Sequence, residues 1–121
     1  MSRLIKKPWG FFELLEIGLK HKVKTLTIRY GEATSLQVHQ HRDEHWIVVR
    51  GEVSVVVGDL EKAVGVNEYV FVKRGVQHSI ANYQETTAEL VEVQFGDELS
   101  EDDITRIEDR YGRRTTKAPK S

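Results

Sequence analysis

The chain has 121 residues, of which 39% are hydrophobic and 31% charged, with a formal net charge of −1 at pH 7. That length and balance predict one soluble globular domain, and they exclude a strongly basic nucleic-acid surface. There is no cysteine, so disulfides and thiolate ligands are excluded and any metal must be held by nitrogen and oxygen atoms.

No apolar run approaches the ~20 residues of a membrane-spanning helix, and residues 1–7 lack the apolar stretch of a secretory signal. A cytoplasmic location without membrane or nucleic-acid partners is expected. Charge is unevenly spread. Residues 97–109 carry Asp97, Glu98, Glu101, Asp102, Asp103, Glu108 and Asp109, while Arg113, Arg114, Lys117 and Lys120 fall among the last residues. The expected organisation is a single domain over residues 1–114 followed by a disordered tail over residues 115–121.

In chain order, residues 22–30 alternate basic or hydroxyl side chains with apolar ones, the pattern of a half-buried strand. Gly31 and Glu32 turn the chain. Residues 35–41 predict a short strand that sets Gln37, His39 and His41 on one face. Residues 45–49 and 52–57 flank a tight turn at Arg50 and Gly51, with His45 directed away from Glu44. Further turns are predicted at residues 58–59 and 65–68, and further strands at residues 69–72, 77–81 and 88–95. Many short strands with turn signals between them predict a β-sandwich or barrel.

Only the end reads as helical. Ser100 is a candidate cap, Asp103 stands three residues later, and Ile104, Ile107 and Tyr111 form an apolar stripe before Gly112. A short C-terminal helix is therefore expected, with Arg106 and Arg110 one turn apart.

Two clusters carry the chemistry. Gly31 is followed at fixed intervals by Gln37, His39, Glu44 and Gly51, and Gly75 by His78 and Asn82. An amide, two imidazoles and a carboxylate on short strands suit one divalent ion with open coordination positions. His41 does not fit this frame as a ligand, because the residue five positions beyond it is Trp46.

The spacing resembles the two motifs of the cupin superfamily, Gly-x5-His-x-His-x4-Glu-x6-Gly and Gly-x5-Pro-x-Gly-x2-His-x3-Asn. Gln37 replaces the first histidine, and His39, Glu44 and His78 fall on the other ligand positions. Asn67 and Lys73 replace the first glycine and the proline of the second motif. Residues 7–10, 35–46 and 108–113 further resemble the isomerase part of type II mannose-6-phosphate isomerases. In that family the cupin usually follows a nucleotidyltransferase half.

The resemblance implies an all-β, single-domain cupin jelly-roll barrel with metal ligands Gln37, His39, Glu44 and His78. Zn2+ is the first expectation, with Mn2+, Fe2+, Co2+ and Ni2+ also suited to the donors. It implies a phosphorylated hexose substrate, interconversion of mannose 6-phosphate and fructose 6-phosphate, and a homodimer. Arg42, Arg110 and His41 are then candidates for catalysis, and Arg110, Arg113 and Lys24 for substrate binding. The general base stays open between a metal-bound hydroxide, His41 and Lys24. The alternatives are a non-catalytic sugar- or metabolite-binding cupin and a metal-dependent oxygenase. The latter is disfavoured by Gln37, since oxygenase cupins more often use three histidines and a glutamate.

Overall fold

The structure is a computed structural model and describes residues 3–108. Its regular structure is β throughout, in eleven strands. These are β1 (Arg3–Lys7), β2 (Gly10–Ile17), β3 (His21–Ile28), β4 (Leu36–Val38), β5 (Arg42–Arg50), β6 (Val53–Val57), β7 (Leu60–Val64), β8 (Tyr69–Val72), β9 (His78–Ala81), β10 (Ala88–Gly96) and β11 (Thr105–Glu108). They form a six-stranded sheet in the order β1-β2-β3-β10-β5-β8 and a five-stranded sheet in the order β11-β4-β9-β6-β7. The two sheets close over one core as the jelly-roll barrel expected from the sequence. No helix among the described residues is long and apolar enough to cross a membrane.

The register of the central strands explains where a site can form. On β10 the buried positions are Ala88, Leu90, Glu92 and Gln94, so the strand turns from apolar to polar along its inward face. Its antiparallel neighbours change character at the same level. Leu90 pairs with Leu26 and Val48, whereas Glu92 pairs with Lys24 and Trp46, and Gln94 pairs with Glu44. One end of the barrel is therefore packed with Ile28, Val48, Val53, Val55, Val64 and Leu90, all nearly inaccessible. Each such side chain contributes about 1.5–3 kcal/mol when fully buried. The other end holds Lys24, Arg42, Glu44, His78 and Glu92, also buried but ionisable.

Two backbone positions make this arrangement possible. A Cβ on Gly96 would lie 2.2 Å from the carbonyl oxygen of His41, so only glycine lets the end of β10 approach the start of β5. Asn67 adopts a left-handed φ of 68°, a conformation asparagine tolerates better than most side chains. This explains how it replaces a motif glycine. Asn82 is fully buried and donates to the carbonyls of Ile28 and Thr86, so its motif role here is to tie two loops to the barrel.

Two expectations are corrected. The strand predicted at residues 35–41 is confined to Leu36–Val38. The predicted C-terminal helix is replaced, as far as residue 108, by a turn and by β11, which pairs with β4. The Ser100 hydroxyl does accept the Asp102 N–H at 3.0 Å, but the turn goes no further because Ile104 and Asp103 are drawn into the barrel. Local capping chemistry thus yields to tertiary pairing. Residues 109–112 of that predicted helix, and the tail expected at residues 115–121, lie outside the described residues. The β1–β2 hairpin is not anticipated by the alternation pattern.

Candidate metal centre

β4 delivers His39 just past its end, where the Gly75 N–H donates to the His39 carbonyl at 2.8 Å. β9 opens on His78, which pairs across the sheet with Gln37. Glu44 is an inward position of β5, held by the Trp46 indole N–H at 3.1 Å. One ligand atom each from His39, Glu44 and His78 lies within 4.8 Å of the others, and all three side chains are buried.

Hydrogen bonds orient both imidazoles. His39 Nδ1 is 2.6 Å from the Asp103 carbonyl oxygen, and His78 Nδ1 is 3.0 Å from that of Val76. A carbonyl can only accept, so each Nδ1 carries hydrogen and each Nε2 is turned toward Glu44. His39 Nε2 lies 3.1 Å from Glu44 Oε2 and His78 Nε2 3.8 Å from Glu44 Oε1. His78 Nε2 is buried and has no hydrogen-bond partner. An orphaned nitrogen aimed at a carboxylate is what a divalent cation would satisfy, and the donor set fits one.

Protonation agrees with that fit. Burial would raise the Glu44 carboxyl, but the hydrogen bond and charge of His39, with His78 and Arg42, hold it well below the usual range. Burial pushes the His78 imidazole down, against the pull of Glu44, which favours the neutral form a metal needs. Glu92 behaves oppositely. Burial first, and the Glu44 charge second, push its carboxyl up to about 8 despite Lys24. The site therefore holds one ionised and one protonated carboxyl at neutral pH.

The triad opens into a cavity that also takes in Gln37, Arg42, Lys24, Glu92, Gln94 and Glu101. Arg42 donates to Glu44 Oε2 through Nε at 3.0 Å and to the Ser100 carbonyl through Nη1 at 3.2 Å, while its Nη2 lies 3.1 Å from His39 Nε2. Lys24 is 4% exposed, stacks over the Phe12 ring at 4.2 Å and meets Glu101 at 2.8 Å.

Gln37, His39, Glu44, His78, Arg42 and Lys24 thus border one cavity. His41 does not. β4 ends before strand alternation can carry it inward, and its side chain is exposed, 3.6 Å from Glu98. Arg110 and Arg113 lie outside the described residues.

Sequence reasoning passed over Glu92, Gln94, Glu101 and Asp103. The signal for the first two was ambiguous: on β10 the apolar Val91, Val93 and Phe95 alternate with Leu90, Glu92 and Gln94, and either set could have faced the core. The Asp103 carboxylate is buried and accepts the backbone N–H groups of Gln40 and His41, both at 2.9 Å.

Comparison with known proteins places this geometry in context. Residues 1–109 match the family described as mannose-6-phosphate isomerase C-terminal. The chain is 40% identical over 113 residues to mannose-1-phosphate guanylyltransferase ManC of Salmonella typhimurium, covering 93% of this chain and 24% of that protein. It is 42% identical over 111 residues to xanthan biosynthesis protein XanB of Xanthomonas campestris pv. campestris, covering 92% and 24%. The chain therefore spans about a quarter of the length of the curated relatives it matches. Oxalate decarboxylase from Bacillus subtilis superposes with a TM-score of 0.78 at 18% identity, over 88% of this chain and 30% of that one, a likeness of fold.

These relatives overturn one expectation. The resemblance implied interconversion of mannose 6-phosphate and fructose 6-phosphate, but ManC is named for guanylyl transfer and XanB for xanthan biosynthesis. The isomerase name belongs to the matched domain family, and the activity does not follow from it.

Proposed function

Because the chain belongs to the mannose-6-phosphate isomerase C-terminal family of cupins, we propose that it is a metal-binding module that holds a mannose phosphate in the service of a mannose-1-phosphate guanylyltransferase. The observation that carries this reading is the buried His39, Glu44 and His78 cluster at the floor of a cavity that also presents Lys24 and Arg42.

His39, Glu44 and His78 would hold the ion, with Gln37 beside them. A divalent ion bound there, Zn2+ first among the candidates, would supply a Lewis acid for sugar oxygens. The chain's own residues account for the rest. Protonated Glu92 and the Gln94 amide offer hydrogen bonds to hydroxyl groups deep in the cavity. Lys24 and Arg42 supply positive charge for a phosphate. Trp9 and Phe12, on the cavity wall, give an apolar surface for a pyranose face. The name of ManC, a mannose-1-phosphate guanylyltransferase, supports mannose metabolism as the setting.

The test is isothermal titration of purified protein, first stripped with chelator and then loaded with zinc. One zinc per chain is expected, and mannose 1-phosphate should bind the loaded protein and not the stripped one. Mannose and glucose 1-phosphate serve as comparators. Zinc-loaded, folded protein that takes up no mannose phosphate would overturn the reading.

A further inference from the structure

Lys24 is a lysine whose charge is placed by the fold before any ligand arrives. It projects inward from β3 in register with Glu92, lines the same cavity as the His39, Glu44 and His78 cluster, and is 4% exposed. An ammonium buried to that degree needs an anion. Glu92 is engaged by the Gln94 amide at 2.9 Å, and Glu44 already faces Arg42 and the two histidines. The anion comes instead from outside the barrel wall. Glu101, on the turn between β10 and β11, reaches in to place its carboxylate 2.8 Å from Lys24 Nζ and 3.9 Å from Lys22 Nζ.

The two sides of this contact differ in kind. Lys24 is fixed on a paired strand and leans on the Phe12 ring, whereas the Glu101 side chain remains half exposed at the surface. Lys22, on the same face of β3, is further anchored by donating to the Leu99 carbonyl at 2.6 Å. Glu101 also lies in the field of Arg42, so its carboxylate is surrounded by three cationic side chains at the wall of the cavity. A carboxylate oxygen facing an ammonium and a phosphate oxygen facing an ammonium make the same charge-assisted contact. A phosphate brings more oxygens and more negative charge to the same cations.

We propose that Lys24 and Lys22 form the phosphate subsite of this cavity, and that the Glu101 carboxylate holds the place of the ligand's phosphate until a phosphate monoester displaces it. The proposal rests on the reading of the chain as a sugar-phosphate module and specifies which cations take the phosphate. Displacement moves only a surface side chain. The turn itself stays tied to the barrel by Asp103, Ser100 and Leu99, each bonded to a different part of the site.

The experiment titrates inorganic phosphate into the zinc-loaded full chain. Glu101→Gln removes the competing charge and should bind phosphate about tenfold more tightly than wild type. Lys24→Met should bind it at least tenfold more weakly, and the double variant should behave as Lys24→Met. Glu98→Gln makes the same change of net charge beside His41, away from the subsite, and should bind as wild type does. Equal phosphate affinity in Glu101→Gln and wild type, or equal tightening in Glu98→Gln, overturns the subsite. Glu101→Gln carries the test even if Lys24→Met fails to fold. A parallel titration with mannose 1-phosphate separates the two readings. If that sugar binds wild type while Glu101→Gln tightens neither ligand, the subsite is wrong and the sugar-phosphate module stands. If Glu101→Gln tightens inorganic phosphate but mannose 1-phosphate binds no variant, the subsite stands and the module reading falls.

Discussion

The Arg42 guanidinium and the Glu44 carboxylate meet 3.0 Å apart inside the barrel, and the same guanidinium extends to within 3.1 Å of His39 Nε2. That nitrogen also lies 3.1 Å from Glu44 Oε2. One imidazole nitrogen cannot donate to a carboxylate and accept from a guanidinium together, so the three groups share an unresolved demand for positive charge. A divalent ion among His39, Glu44 and His78 would meet it, and would compete with Arg42 for the same atoms.

Arg42→Gln should therefore separate stability from metal affinity. Without metal, a buried carboxylate loses its cation, which costs about 3–5 kcal/mol. With the competitor gone, zinc should bind about tenfold more tightly and raise the melting temperature by more than it does in wild type. Melting curves in chelator and in saturating zinc read both effects. Weaker zinc binding in the variant would show that Arg42 supports the ion and does not oppose it.

His78→Ala tests the opposite side of the cluster. His78 is the one candidate ligand contributed by β9, and its Nε2 is buried without a hydrogen-bond partner. Loss of groups that merely orient a ligand lowers metal affinity about 10–100-fold, so loss of the ligand itself should exceed that. Metal content after dialysis should fall well below one ion per chain, with the far-ultraviolet circular dichroism of the fold retained. Full zinc retention would move the metal site elsewhere.

What the sequence disclosed follows from how locally each feature is encoded. Glycines at turns and the interval from Gln37 to Glu44 are short-range signals, and they led to the jelly roll and to three side chains that do converge. Lys24 was harder to place. Val23 and Leu26 lie at opposite phases of the alternation, so periodicity alone could not say that Lys24 shares the inner face with Leu26 and Ile28. Asp103 illustrates the other limit. Its spacing from Ser100 is that of a helix start, and only the arrival of residues 39–41 from far along the chain shows that its carboxylate serves their backbone. His41 shared a face with His39 on paper, but β4 stops first.

Glu92 gives the protein a pH-dependent stability with a defined sign. Its carboxyl is raised from an ordinary 4.5 to about 8, so between those values the folded state holds a proton that the unfolded chain has released. Stability from this group is fully present below about 4.5 and is lost as pH rises through about 8. Glu44, held low, acts with the opposite sign and loses its contribution only as pH falls. Glu92→Gln keeps the shape and the contact with Gln94 while removing the titration. In metal-free protein its melting temperature should pull ahead of wild type as pH rises across that window, by about 5 °C or more at the alkaline end. A constant difference from pH 5 to 9 would mean that Glu92 is ionised in the fold.

Asp103 makes the final case, because its side chain and its backbone act on different parts of the site. The carboxylate, 1% exposed, accepts two backbone N–H groups from the segment that follows His39, while its carbonyl orients the His39 ring. Charge-assisted bonds of this kind are worth about 1.5–3 kcal/mol each. Asp103→Ala should therefore destabilise the fold by about 3 kcal/mol or more, and should loosen the ring orientation through the turn it anchors. Asp103→Asn keeps one carbonyl oxygen for one N–H but turns a second donor toward the other, so it should recover only part of the loss. The nitrogen resonances of His39 offer a readout that simple destabilisation would not move. In zinc-loaded wild type, Nδ1 should carry the proton and Nε2 the metal, and Asp103→Ala should broaden or split that signature at temperatures where the protein remains folded. An unchanged His39 tautomer signal in a folded Asp103→Ala protein would show that the Asp103 carbonyl holds the ring without help from its carboxylate.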